Sequence, residues 1–314
     1  MKKQTPTFSL AFCLWGLTFY LVLAGCARPA PDTAVKIDSE FSRSMTAGRL
    51  AFDQGLTDQA ARYYQQALGR ARAMDSAPQI GDAAYNLAAC WIHLNQLEKA
   101  RDLLDEAKTE IASVNGNIAD IQLVEAKVAW LQGNPKEALM LANQVLSSPG
   151  SYPTDYLRLQ VYLLRGQIAC DKDDAAEALQ ELQKARSIDR QISDHPLQAD
   201  ISALAGRVHL IKNEPVLAAR EFDSETRLLR QAKRYTEMAQ ALQNAAEAYL
   251  SAGNYGLAAD RFFRAARSTF AQGQNSAAMK LGHLALSAAD KAEDQSVKIR
   301  ARALLDEIET ASGH

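Results

Sequence analysis

The sequence has no excess of positive charge. Its 35 Lys and Arg face 37 Asp and Glu, for a formal net charge of -2. Nucleic acid and anionic lipid both need a basic surface, so neither is expected as the main partner. Aromatics are scarce, at 7%, while alanine is plentiful. That balance favours closely packed helices, because alanine has the best helix propensity and lets helix axes approach. The five histidines are His93, His195, His209, His283 and His314. No two stand at i, i+4, and none sits with cysteines or paired carboxylates in a metal-like cluster. There is no G-x-S-x-G, no Gly-rich phosphate loop and no C-x-x-C. No catalytic residue, metal or cofactor is therefore assigned, and the chain is not expected to be an enzyme. With 47% hydrophobic and 23% charged residues, the rest is ordinary globular composition.

The segment from Met1 to Cys26 reads as an address. Lys2 and Lys3 are the only charges before Cys26, and an uncharged apolar run from Phe8 to Leu23 follows them. The run is shorter than the roughly 20 residues that a spanning helix needs, and the order of regions is that of a secretory signal. Removing it would leave 33 basic against 37 acidic side chains, a net charge of -4. Leu23-Ala24-Gly25-Cys26 resembles the lipobox of bacterial lipoproteins. That resemblance implies lipid on the Cys26 thiol, cleavage before it and acylation of the new N-terminus, which together give stable membrane anchoring. The other reading is plain cleavage at the small-x-small site Gly25-Cys26-Ala27. Ala27 stands where enterobacterial lipoproteins retained at the inner membrane carry Asp, so the resemblance implies outer-membrane sorting, facing the periplasm. Pro29 and Pro31 mark an extended tether. A dozen residues at up to ~3.3–3.6 Å each span only ~40 Å, so the folded part is expected to work close to the membrane.

Beyond the tether the sequence repeats. An alanine follows a turn residue by five positions, six times over. The turn residues are Gly55, Asn95, Gly133, Asp173, Asn213 and Gly253, and the alanines are Ala60, Ala100, Ala138, Ala178, Ala218 and Ala258. The alanine positions advance by 40, 38, 40, 40 and 40. Gly, Asn and Asp tolerate the left-handed conformation that ends a helix. Pro135 and Pro215 stand where a following helix would begin and a missing N–H costs little. Twelve residues before each alanine stands a small residue: Gly48, Ala88, Ala126, Gly166, Gly206 or Ala246. Four residues after stand Tyr64, Leu104, Ala142, Leu182, Phe222 and Phe262, five of them large and apolar.

This pattern resembles the tetratricopeptide repeat. The period of 40 exceeds the family's usual ~34, which predicts longer helices, as over Leu97–Val114 and Pro215–Arg234. Repeats three (Ile118–Ser147) and five (Ala199–Tyr235) match least well. The resemblance implies an all-α, right-handed superhelical solenoid of about six helix pairs. We divide the chain into a signal peptide at 1–25, a lipidated cysteine and tether at 26–40, repeats at 41–273 and a capping helix pair at 274–314. Cys90 and Cys170 fall in apolar helical stretches two repeats apart, on the order of 20 Å from packed-helix spacing. That is too far for a disulfide, so they are read as buried thiols.

In such arrays the first helix of each pair lines a concave groove. Counting from the small residue, the groove should include Arg49, Tyr85, Lys127, Trp130, Gln167, Arg207 and Gln243, with His93, Leu123 and Asp171 beside them. Arg49, Lys127 and Arg207 share one register position. The mixture suits an extended peptide or partner helix, with charges for carboxylates and rings for apolar side chains. Two basic stripes also stand out: Arg227, Arg230, Lys233, Arg234 and Arg261, Arg264, Arg267. They are read as solvated faces balanced by Glu221, Asp223, Glu225 and Asp260; the other reading is a patch for phospholipid headgroups or an acidic partner. The function expected is a membrane-anchored protein-binding scaffold that assists assembly of an envelope complex. The alternative is a cell-wall enzyme or accessory with a site in the groove that no motif reveals.

Overall fold

A computed structural model of the protein describes residues 38–148, 154–189 and 194–312. The signal segment, Cys26 and most of the tether lie outside the described residues. Within them every regular element is an α-helix, and none is long and apolar enough to cross a membrane. The chain divides into two compact units, one ending at Ile121 and one starting at Gln122.

The first unit contains α1 (Ser39–Asp53), α2 (Thr57–Ala73), α3 (Ala77–His93) and α4 (Leu97–Ser113). Helix α5 (Ala119–Leu131) begins at its end and runs into the second unit. The second unit continues with α6 (Pro135–Leu146), α7 (Asp155–Asp171), α8 (Ala175–Asp189), α9 (His195–Ile211) and α10 (Pro215–Gln231). It ends with α11 (Tyr235–Ser251), α12 (Tyr255–Ala271), α13 (Asn275–Lys291) and α14 (Gln295–Ser312).

The period follows from one local device, used inside each repeat and again at several junctions between repeats. All six turn residues named from the sequence have positive φ, from 56° at Asn95, Asp173 and Asn213 to 80° at Gly133. At each, the chain reverses through a pair of backbone bonds typical of a left-handed helix end. Asn95 N–H donates to Ile92 C=O at 3.0 Å, and Gln96 N–H donates to Trp91 C=O at 2.8 Å. The same turn recurs between repeats at Asp75, Asn115, Lys233 and Gly273, and inside the final pair at Glu293. Most helices have 17 residues. A helix with its turn therefore fills half the interval from Ala218 to Ala258, and a helix pair fills all of it. The added length over the family's usual repeat lies in the helices, as expected. Repeat three departs because α5 and α6 have only 13 and 12 residues. Repeat five, although its sequence matches poorly, forms two regular 17-residue helices.

Side chains at the helix starts fit the pattern. Asp38 accepts from the N–H groups of Glu40 and Phe41 at the start of α1, and Asp194 accepts from that of Leu197 at α9. Such caps satisfy donors that have no partner inside the helix. Pro135 and Pro215 open α6 and α10.

Packing bears out the register. All six anchor alanines are fully buried. Tyr64, Leu104, Ala142, Leu182, Phe222 and Phe262 are at most 3% exposed. The small residue and the large one face each other across a helix pair. A Cβ on Gly48 would lie 2.8 Å from the Tyr64 ring, and one on Gly206 would lie 2.5 Å from the Phe222 ring. Helices therefore approach closely where glycine or alanine leaves room for the partner's ring. In the second unit, α7 also touches α9, and α12 touches α14. First helices thus stack on first helices and second helices on second helices.

The final pair, α13 and α14, buries Leu281, Ala285, Val297, Ala301 and Ile308. Ile299 stands at the register position where Ala219 and Ala259 are fully buried, yet it is 66% exposed. The face of α14 that carries Ile299 is thus turned to water. Cys90 and Cys170 are buried free thiols. Burial pushes the Cys90 thiol up to about 12, so it behaves as a small hydrophobe.

Candidate binding groove

In each unit the first helices carry candidate binding positions, and the two units are described separately. In the first unit, Arg49 on α1 is exposed and Tyr85 on α3 is half-buried. Phe52 and His93 meet edge to face with ring centroids 5.0 Å apart, joining α1 to α3.

The second unit holds the denser arrangement. Trp130 on α5 donates its indole N–H to Asp171 Oδ2 on α7 at 2.6 Å. Arg207 on α9 donates from Nη2 to Asp171 Oδ1 at 2.5 Å. One carboxylate thus ties three consecutive first helices together. The pairs are charge-assisted and short, but Asp171 is 45% exposed and Arg207 33%, so water screens them and a partner can reach them. Gln167, one turn before Asp171 on α7, is half-buried. Gln243 on α11 donates from Nε2 to Glu247 Oε1 at 2.8 Å.

Lys127 sits deeper. Its Nζ donates to Gln160 Oε1 on α7 at 2.8 Å. Burial pulls its ammonium below the usual lysine range, and Asp200 on α9 opposes that shift. Asp200 is itself raised by burial, with Lys127 and Arg234 pulling the other way. On α10, burial pushes the Glu225 carboxyl up to about 8, and the charge of Asp200 adds to the shift. Its Oε2 is buried without a hydrogen-bond partner. These groups form one electrostatic neighbourhood beside the Trp130–Asp171–Arg207 bridge.

One expectation needs correction. Leu123 is 2% exposed and belongs to the core, because its position on α5 turns inward. Sequence reasoning also missed Gln160 and Asp200. Both stand six residues before a small residue, and that position is polar in all six repeats: Ser42, Asp82, Asp120, Gln160, Asp200 and Gln240. The signal was in the sequence, in a register position outside those counted.

The chemistry available here is recognition. Indole, guanidinium, carboxylate and amide groups alternate along adjacent helices, which suits an extended chain with mixed side chains. Among the described residues no group of His, Cys, Asp and Glu is arranged to hold a metal ion.

Residues 45–115, spanning α1 to α4, match the tetratricopeptide repeat family. No curated protein matches the chain. Solved structures do. The apo form of the quorum sensor NprR from B. thuringiensis is 18% identical with a TM-score of 0.54, covering 79% of this chain and 76% of that one. NprR in complex with its cognate peptide NprX gives 13% identity and a TM-score of 0.58, covering 86% and 78%. PilW, a type IV pilus biogenesis factor, gives 16% and 0.50, covering 72% and 91%. At these identities the likeness is one of fold: this chain has a tetratricopeptide-like array of helix pairs.

Proposed function

We propose that this chain is a non-catalytic scaffold that binds a protein or peptide partner along the first helices of its second unit. The observation that carries the reading is the Asp171 bridge between Trp130 and Arg207, which aligns polar groups from α5, α7 and α9 on one accessible face. A stacked-helix array offers a long recognition surface and needs no catalytic pocket. Support comes from two proteins of like fold. NprR was solved holding a peptide, and PilW is a pilus biogenesis factor. We extend the proposal to place. The lipobox-like Leu23–Cys26 would anchor the chain through N-terminal lipid, and Ala27 favours the outer membrane facing the periplasm. There the scaffold would assist assembly of an envelope complex.

Two experiments test this. A photoreactive residue at Gln167, activated in intact envelopes, should capture a defined partner. Trp130→Ala with Arg207→Glu should abolish that capture while the far-UV circular dichroism stays unchanged. Capture that persists in the double variant would remove the groove from the proposal. Separately, Cys26→Ala should release the protein into the soluble periplasmic fraction, and retention in the membrane would end the lipid-anchor reading.

A further inference from the structure

Arg230 of one basic stripe and Arg264 and Arg267 of the other line one cavity. An open pocket of about 600 Å³ is lined by Arg230 of α10, Met238 and Leu242 of α11, and Arg264, Arg267, Ser268 and Ala271 of α12. It is built chiefly on second helices, with α11 as its floor, so it is distinct from the groove on α5, α7 and α9.

Among the described residues, the three cations lining the pocket have one carboxylate contact between them. Arg261, the first residue of its stripe, donates from Nε to Asp223 at 2.8 Å and from Nη1 to Asp260 at 2.7 Å. Those carboxylates are therefore engaged. Arg264 reaches only the same Asp260 oxygen, at 3.6 Å. Among the described residues, Arg230 and Arg267 make no ion pair. Helix electrostatics accounts for Arg230, in the last turn of α10. It does not account for Arg264 and Arg267, since the last turn of α12 holds no basic residue and the dipole's effect falls off within that turn. Arg267 is held over the Phe263 ring, 5.5 Å from its centroid, which orients its planar fork of donors. Three guanidiniums and the Ser268 hydroxyl thus stand around a floor of Met238, Leu242 and Ala271.

We propose that this pocket binds a phosphate-bearing amphiphile. The phosphate sits among Arg230, Arg264, Arg267 and Ser268, and an apolar portion lies against Met238 and Ala271, above the buried Leu242. Guanidiniums match phosphate oxygens through paired donors. The apolar floor is what separates this site from one for free phosphate, which would gain nothing from it.

The test uses the full chain and two soluble probes, inorganic phosphate and dihexanoyl-phosphatidylglycerol below its micelle concentration, by calorimetric titration. The lipid should bind saturably and at least about tenfold tighter than inorganic phosphate, since burying even a few methylenes accounts for that factor. Arg264→Gln with Arg267→Gln should weaken the lipid by about ten- to a hundredfold, as loss of charge-assisted bonds predicts. Ala271→Glu, at an exposed lining position, should abolish lipid binding without touching the core. Absence of saturable lipid binding would overturn the proposal. So would equal affinity for the two probes, or unchanged affinity in variants whose urea midpoints match the parent.

Discussion

Glu181 on α8 is 1% exposed and shares one oxygen, Oε1, with Arg165 Nη2 at 3.1 Å and Lys184 Nζ at 2.8 Å. Its Oε2 is buried without a partner. Removing either end of the Arg165–Glu181 pair breaks the same contact, yet the costs should differ. Arg165→Met leaves the carboxylate in place. An uncompensated buried charge costs about 3–5 kcal/mol. Lys184, itself 36% exposed, offsets part of this, as does loss of the unpartnered Arg165 Nε. The expected cost is about 2 kcal/mol. Glu181→Leu instead removes the buried charge and its unsatisfied oxygen. It leaves Arg165, 23% exposed, with water and Asn143 Oδ1 at 3.3 Å, for about 0–1 kcal/mol. The double variant should match Glu181→Leu. Urea unfolding followed at 222 nm measures this, with the slope m required to stay constant. If Glu181→Leu proves as destabilising as Arg165→Met, the pair is a net source of stability and the desolvation argument fails.

Three further outcomes follow from the same structure. Gly69→Ala, mid-helix in α2 with nothing within 4 Å of the added Cβ, should stabilise by about 0.5–1 kcal/mol. Gly206→Ala, where the Cβ would meet the Phe222 ring at 2.5 Å, should lose that gain and about 1–3 kcal/mol to overpacking; equal melting shifts would refute the packing register. Stability should fall between pH 4.5 and 8, because Glu225 moves from its ordinary 4.5 to about 8 in the folded state. Folded protein then holds the proton that unfolded chain has lost. The nearby Lys127, lowered by burial, works in the opposite sense, so the comparison is with Glu225→Gln, which should flatten the fall. Finally, Asp171→Asn should cost under about 1 kcal/mol, because the Arg207 pair is part-exposed, while weakening partner capture. A large loss of stability there would make Asp171 a structural strut.

Much of the fold could be read from residues in order. A left-handed turn favours Gly, Asn or Asp at a set place, and close helix crossings need a small residue at another. Those two demands, met once in every helix pair from Gly48 to Ala258, disclose the array without any knowledge of contacts. Some turns were harder to see, because Lys233 between repeats and Glu293 inside the last pair adopt positive φ with side chains that do not announce it. The basic stripes were visible too, as runs on single helices.

The site is a different matter. Trp130, Asp171 and Arg207 lie 41 and 36 residues apart along the chain, and nothing local links them. Whether a polar residue on a first helix faces solvent or a neighbour depends on how successive pairs stack, and stacking is set by core side chains at other positions. Lys127 shares the register position of the exposed Arg49 yet gives its ammonium to Gln160. Arg261 and Arg264 share one stripe, yet carboxylates engage the first, and a pocket receives the second. Local rules act through neighbours in the chain, which is why the period and the anchor were readable. Burial and pairing act through space, so the fate of each charge awaited the packed array.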